Sequence, residues 1–290
     1  MRNLITKFIS YKTASQLAES TLDSYCYALR DFYQYCIRNN ITMPTSTDIE
    51  NYFIFLRGKR YSQATLRDKY AVLHAFFTYC VNNGLIDDFP LRIKKPFLPK
   101  EKARCFTDEE IAKIMAYFTD RSTFCKLRDF TIISILLGTG IRRSELLQIT
   151  DITGDYLTVI GKGNKQRSVP LSRSLKTVLK DYIVERNKRA VCKYLIVTNR
   201  GTQMTKGGLR AVLIRLSQNT GIGGKRFSSH TFRHTYATSM LRAGADIATI
   251  SRILGHSDIS TTAIYLNWTD DTARQVNDRY NPLNKFFNFF

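Results

Sequence analysis

Two histidines, three cations and a tyrosine stand in short, ordered stretches whose spacing suits chemistry on an anion. His230-Thr231-Phe232-Arg233 opens a helical pattern behind Ser228 or Ser229 as a cap. Positions i and i+3 of a helix share a face, so imidazole and guanidinium point the same way, near a helix N-terminus that itself favours an anion. In a basic chain two unrelated surface residues give the same spacing. In Thr139-Gly140-Ile141-Arg142-Arg143-Ser144-Glu145-Leu146 a glycine break delivers an arginine at a helix start, and Glu145 follows one turn on, able to orient it. An ordinary glycine helix stop before a surface arginine reads identically. Lys162 sits at the tip of a predicted hairpin, where a lysine commonly serves only solubility. Gly161 and Gly163 on either side would let that loop approach a backbone closely. Leu254-Gly255-His256 ends a helix at glycine and puts a histidine just past it, and Tyr265 follows in Ser260-Thr261-Thr262-Ala263-Ile264-Tyr265. With 4 histidines against 16 tyrosines in the chain, the histidine positions carry more information than the tyrosine does. His234 is expected to pack beside Arg233, and His74 to pack in or at the edge of a helical core.

The composition says what kind of molecule holds these groups. The chain has 290 residues, of which 43% are apolar and 12% aromatic, so it is neither disordered nor in need of disulfides or metal to fold. Lys+Arg number 44 against 24 Asp+Glu, a formal charge of +20. Such self-repulsion does nothing for folding, and its common benefit is attraction to a polyanion, nucleic acid foremost. The longest apolar stretch, 130–137, is broken by Thr131 and Ser134 and is far below the ~20 residues of a membrane span. The first residues show neither a sustained apolar core nor a small-residue cleavage site, and the 6 cysteines show no CxxC and no zinc spacing. The expectation is a cytoplasmic, nucleoid-associated protein with reduced thiols and no membrane partner.

The elements that would position the chemistry fall into two parts. The first hundred residues read as helices: one capped by Thr21 with Leu22, Tyr25, Leu29, Phe32 and Cys36 as its stripe, one capped by Thr47, and one capped by Ser62 and ended by Gly84. Arg30, Arg38, Arg57, Lys59, Arg60, Arg67 and Lys69 read as their outer faces, with Arg57, Lys59 and Arg60 as a phosphate-contacting cluster. A proline- and cation-rich linker over 91–104 follows, in which Lys94 and Lys95 are candidate DNA contacts. The second part restarts with a Thr107/Glu110 capping box. A buried helix over 124–137, a short helix from Ser144, a hairpin over 156–160 and 166–171, and helices near 172–189, 205–219, 229–243 and 246–254 come next, with short helical segments near 260–266 and 271–280. The predicted class is mainly α with a small antiparallel β-sheet (α+β), divided as 1–90, linker 91–104, and 105–290.

Taken together, TGIRRSEL, GKGNKQRSVPL, HTFRH and LGHSDISTTAIY in this order resemble the tyrosine recombinase (phage integrase) family in its short Xer-like form. The resemblance is strong over the second part and follows only the helical pattern in the first. It implies a helical core-binding domain over 1–90 and a catalytic domain with a C-terminal tail over 105–290. It makes Arg142, Lys162, His230, Arg233 and His256 catalytic, Glu145 supporting, and Tyr265 the nucleophile. Arg143 next to Arg142 leaves open which arginine points inward, and Trp268 is assigned to packing.

What the resemblance implies is chemically coherent. An attacked phosphodiester gathers negative charge, which Arg142, Arg233 and His256 would hold. Tyrosine, with a pKa near 10, needs a base, and His230 is the candidate; Lys162 would protonate the leaving 5′-oxygen. The resulting 3′-phosphotyrosyl link stores the bond energy, so rejoining needs no ATP, and no carboxylate cluster suits a metal. No cofactor is expected. The implied partner is double-stranded DNA with an inverted-repeat core site, bound by a homotetramer on two sites and a monomer or dimer off DNA. The Phe286-Phe287-Asn288-Phe289-Phe290 tail is a candidate for docking on a neighbouring protomer. A type IB topoisomerase shares the chemistry but rejoins the same strand. A catalytically silent DNA-binding regulator would need no particular tyrosine, and a metal-dependent nuclease would be sensitive to EDTA.

Overall fold

The computed structural model describes residues 1–15, 17, 19–97, 104–161, 166–222 and 227–255. Lys162, His256, Tyr265, Trp268, the segments at 260–266 and 271–280 and the phenylalanine tail lie outside the described residues. The chain divides into two compact units, Met1–Glu101 and Lys102–Phe290.

The first unit is built from α1 (Arg2–Ala14), α2 (Glu19–Arg38), α3 (Ser46–Gly58) and α4 (Gln63–Asn82). Its core is largely aromatic: Phe8, Phe32, Tyr52 and Phe76 are fully buried. Phe8 meets Phe76 edge-on at 5.5 Å, and Phe32 meets Tyr52 at 4.9 Å. Sequence reading draws no helix where α1 lies. Leu4, Ile5, Phe8 and Ile9 nevertheless recur at helical spacing, and that narrow stripe packs into the core.

Two expected caps shift. α2 already starts at Glu19, which puts Thr21 inside the helix. Thr45, not Thr47, caps α3: its hydroxyl accepts from the Asp48 N–H at 3.3 Å, and its own N–H donates to the Asp48 carboxylate at 2.8 Å. Both threonines have an acid three residues on, and the earlier one adds half a turn of helix. Ser62 caps α4 as expected, and Gly84 takes the left-handed conformation just past its end.

Lys69, read as an outer-face cation, is buried instead. It pairs with Asp31 at 2.6 Å between the Tyr27 and Tyr61 rings, and Tyr52 donates to the same carboxylate at 2.9 Å. His74 departs the other way: it is exposed, with its ring against Phe89. No disulfide joins the cysteines. Burial raises the thiol pKa of Cys36 and of Cys80 to about 11, which leaves both inert as nucleophiles.

The second unit runs α5 (Asp108–Ala116), α6 (Phe124–Thr139), α7 (Arg143–Leu147), β1 (Ile152–Thr153), β2 (Tyr156–Ile160), β3 (Gln166–Pro170), α8 (Arg173–Asn187), α9 (Lys206–Thr220), α10 (Ser229–Arg242) and α11 (Ile247–Leu254). The Thr107/Glu110 capping box starts α5. α6 is the central helix, with Ile132, Ile133, Ile135 and Leu136 fully buried, and it packs on α8 and α10. The strands form an antiparallel sheet in the order β1-β2-β3. β1, only two residues long, has too little alternation to be read from sequence. In the β2–β3 register Leu157 faces Val169 and Val159 faces Arg167, and Leu157, Val159 and Val169 are buried. No described helix is long and apolar enough to cross a membrane.

Candidate active site

The site is assembled at the ends of elements. α6 stops at Gly140, whose φ of 62° is the left-handed conformation that glycine adopts without strain. A Cβ there would come within 2.7 Å of Tyr236 and 2.8 Å of Leu254, so the position requires glycine for space as well as conformation. The chain then passes through fully buried Ile141 to Arg142, the extended residue that caps α7. The Arg142 N–H donates to Glu145 Oε2 at 2.7 Å, and its Nη1 to Oε1 at 3.0 Å. Arg143 is exposed, so Arg142 is the arginine tied to the acid.

α10 supplies the second arginine. Ser228 is its cap, accepting from the Thr231 N–H at 3.2 Å. His230, in the first turn, is exposed, whereas Arg233 is buried. Arg233 Nη1 donates to the Gly140 carbonyl at 2.9 Å and Nη2 to the Leu254 carbonyl at 2.7 Å. One guanidinium thus ties α10 to the ends of both α6 and α11. α11 ends at Gly255 in the left-handed conformation, immediately before His256 in the chain. Burial, with His230 and Arg233 adding to it, lowers the pKa of His234.

A residue that sequence reading missed completes this frame. Arg167, on β3, donates Nη1 to Glu145 Oε1 at 2.7 Å, Nη2 to Glu145 Oε2 at 2.9 Å, and Nε to the Ile253 carbonyl at 3.0 Å. The signal was present. In Gln166-Arg167-Ser168-Val169, strand alternation places Arg167 on the same inward face as Val169, and a charged side chain on a buried face needs a carboxylate. Glu145 is 1% exposed. Burial alone would raise its pKa, but the bonds from Arg167 and from the Arg142 N–H outweigh that and lower it to about 2.

The structure therefore brings Arg142, Glu145 and Arg233 to the neighbouring ends of α6, α7 and α11. Lys162 belongs to the segment joining the paired residues Ile160 and Gln166. Arg57, Lys59, Arg60, Lys94 and Lys95 belong to the first unit and are exposed. None of them makes an ion pair with a described residue. The Lys59 ammonium lies over the Phe55 ring at 4.5 Å. Among the described residues no group of three His, Cys, Asp or Glu side chains could hold a metal.

Comparison with known proteins gives this frame its family. Residues 104–271 match the phage integrase family, and residues 4–87 match the phage integrase N-terminal SAM-like domain. The tyrosine recombinase XerD of Listeria monocytogenes serotype 4b (strain F2365) is 30% identical over 97% of this chain and 99% of its own. The tyrosine recombinase XerA of Pyrococcus furiosus is 31% identical over 97% of this chain and 94% of its own. Among solved structures, an XerH site-specific recombinase bound to difH substrate, in a pre-cleavage complex, is similar with a TM-score of 0.76 over 94% of each chain. At 19% identity that likeness bears on the fold alone. The chain belongs to the phage integrase family. Within it the chain is a Xer-type tyrosine recombinase, a site-specific enzyme that cleaves and rejoins DNA strands.

Proposed function

We propose that Arg142 and Arg233 clamp the scissile phosphate, and that His256 adds a donor as charge builds on it. Tyr265 Oη attacks phosphorus in line, its proton passing to His230. The P–O5′ bond breaks, and Lys162 gives the departing 5′-oxygen its proton. The product is a 3′-phosphotyrosyl link and a free 5′-hydroxyl. Attack on that link by the 5′-hydroxyl of another strand reverses the step with no loss of bond energy. Guanidinium, imidazole and ammonium groups supply all the charge, so the scheme needs neither metal nor ATP.

One observation supports this reading most. Arg142 and Arg233, 91 positions apart in the sequence, are held at adjoining element ends by Glu145 and by the Gly140 and Leu254 carbonyls. A protein that only binds DNA needs cations on its surface, not two guanidiniums fixed by a buried acid and by backbone. We assign 1–90 as a core-binding domain that contacts phosphates through Arg57, Lys59 and Arg60. Lys94 and Lys95 extend that contact along the linker at 91–104, and 105–290 is the catalytic domain. The substrate is a DNA duplex with an inverted-repeat core site, held by four protomers across two sites, and the enzyme works in the cytoplasm at the nucleoid. A nicked suicide duplex tests the reading. Wild type should accumulate a covalent adduct on denaturing gels, whereas Tyr265→Phe should bind equally well and form none. An undiminished adduct with Tyr265→Phe refutes the assignment of the nucleophile.

A further inference from the structure

Arg167 occupies the inward register position of β3 opposite Val159, so its side chain enters the buried side of the sheet. Its planar fork meets the Glu145 carboxylate with two parallel bonds of 2.7 and 2.9 Å, a geometry lysine cannot reproduce. The same carboxylate holds Arg142 through one side-chain bond, from Nη1 at 3.0 Å. A single acid thus lies between two guanidiniums. With Arg142 alone, Glu145 would form a neutral pair; with Arg167 present, the three groups carry one net positive charge. A carboxylate and a lone guanidinium frequently pair through a two-bonded fork, the arrangement open to Arg142 once Arg167 is gone. Both oxygens of Glu145 are instead already engaged by Arg167, and the Arg142 guanidinium stays tethered by its single Nη1 bond at the half-exposed end of the group.

We infer that Arg167 is a positioning residue for strand cleavage: by engaging both oxygens of Glu145 it leaves the remaining Arg142 donors, and a net positive charge, for the scissile phosphate. The inference deepens the proposed function and rests on Arg142 as a phosphate clamp. The competing account is a plain brace, in which Arg167 only holds β3 to Glu145 and to the Ile253 carbonyl. The two differ in what repairs its loss. If the harm in Arg167→Ala comes from an unbalanced carboxylate that captures Arg142, removing the carboxylate's charge should undo it. If Arg167 is a brace, Glu145→Gln can relieve the buried charge and raise the thermal midpoint, but it cannot restore the cleavage rate of protein that is already folded.

The test uses the full chain and a nicked duplex carrying a core site selected from random sequences. Wild type, Arg167→Ala, Arg167→Lys, Arg167→Ala/Glu145→Gln and Arg142→Ala are compared for duplex Kd, thermal midpoint and single-turnover cleavage rate. Arg167→Ala should lose on the order of 10²-fold in cleavage with Kd nearly unchanged. Arg167→Lys, which keeps the charge but not the fork, should lose less. The double variant should recover at least about tenfold in the cleavage rate over Arg167→Ala, the non-additivity expected where both residues act on Arg142 through one charge. Wild-type cleavage by Arg167→Ala overturns the inference, and so does a folded double variant that recovers nothing. If Arg167→Ala does not fold, recovery of folding and cleavage in the double variant supports it, and an unfolded double variant overturns it in favour of the brace. Arg142→Ala separates the two levels: wild-type cleavage there refutes the phosphate clamp itself, whatever Arg167 does.

Discussion

Gly140→Ala should be unusually costly, and the structure divides the cost into two parts. The first is conformational. At φ 62° an L-residue brings its Cβ against the following carbonyl, a strain of about 1–2 kcal/mol. The second is crowding. The new methyl would stand 2.7 Å from the Tyr236 ring and 2.8 Å from Leu254, where overpacking typically costs about 1–3 kcal/mol. The sum is about 2–5 kcal/mol. Gly154 provides the control, because its φ is 59° and nothing lies within 4 Å of its virtual Cβ. Gly154→Ala should therefore show only the strain, about 1–2 kcal/mol. Urea unfolding of both variants, followed by far-UV circular dichroism with unchanged m-values, measures the difference. A second effect should appear in cleavage. The Gly140 carbonyl and the Leu254 backbone both hold Arg233, so Gly140→Ala should slow single-turnover cleavage even where the protein is fully folded, and Gly154→Ala should not. Equal destabilisation by the two substitutions would refute the crowding, and a folded Gly140→Ala enzyme cleaving at the wild-type rate would refute the link to Arg233.

Glu145 should give the catalytic unit a pH-dependent stability. Its folded pKa of about 2 lies below the ordinary 4.5, so the stabilisation is complete above about pH 4.5 and is lost as the pH falls towards 2. The difference corresponds to roughly 3 kcal/mol, and Glu145→Gln should remove it from denaturation curves taken across that window. DNA affinity should fall steeply with salt: if about 8 phosphates are neutralised, log K against log[salt] should have a slope near −7, and a slope near zero would contradict the basic surface as a DNA contact. Lys162→Ala should lose on the order of 10²–10⁴ in cleavage rate on ordinary DNA and be largely rescued when sulfur replaces the bridging 5′-oxygen, because a thiolate leaves without a proton. Equal slowness on both substrates would make Lys162 a phosphate or base contact instead.

What was legible in the sequence was mostly local. Arg142 and Glu145 are three residues apart behind a glycine break, and helix geometry alone joins them. The β2–β3 hairpin shows as alternation on both sides of a Gly/Asn-rich turn. The Ser62 cap and the Thr107/Glu110 box are spelled locally, yet Thr45 displaced Thr47 because two capping boxes overlap and only packing chooses between them. The misses are non-local. Arg167 meets its acid 22 positions away and a carbonyl 86 positions away, contacts that no window of sequence contains. Lys69 looks like any cation on a helix until Asp31, 38 positions earlier, is seen to receive it inside a ring of tyrosines. Helix spacing puts Arg233 with His230 at the site, but the carbonyls that hold its guanidinium, at the ends of α6 and α11, lie 93 and 21 positions away and are not legible locally.

The central claim is that Tyr265 takes the 3′-phosphoryl group of the cleaved strand. The wild-type adduct trapped on a nicked suicide duplex, digested with nuclease and protease and sequenced by tandem mass spectrometry, tests it directly. The account predicts a nucleotide joined through its 3′-phosphate to the peptide that contains Tyr265. A nucleotide on any other residue, or one joined through a 5′-phosphate, would contradict it.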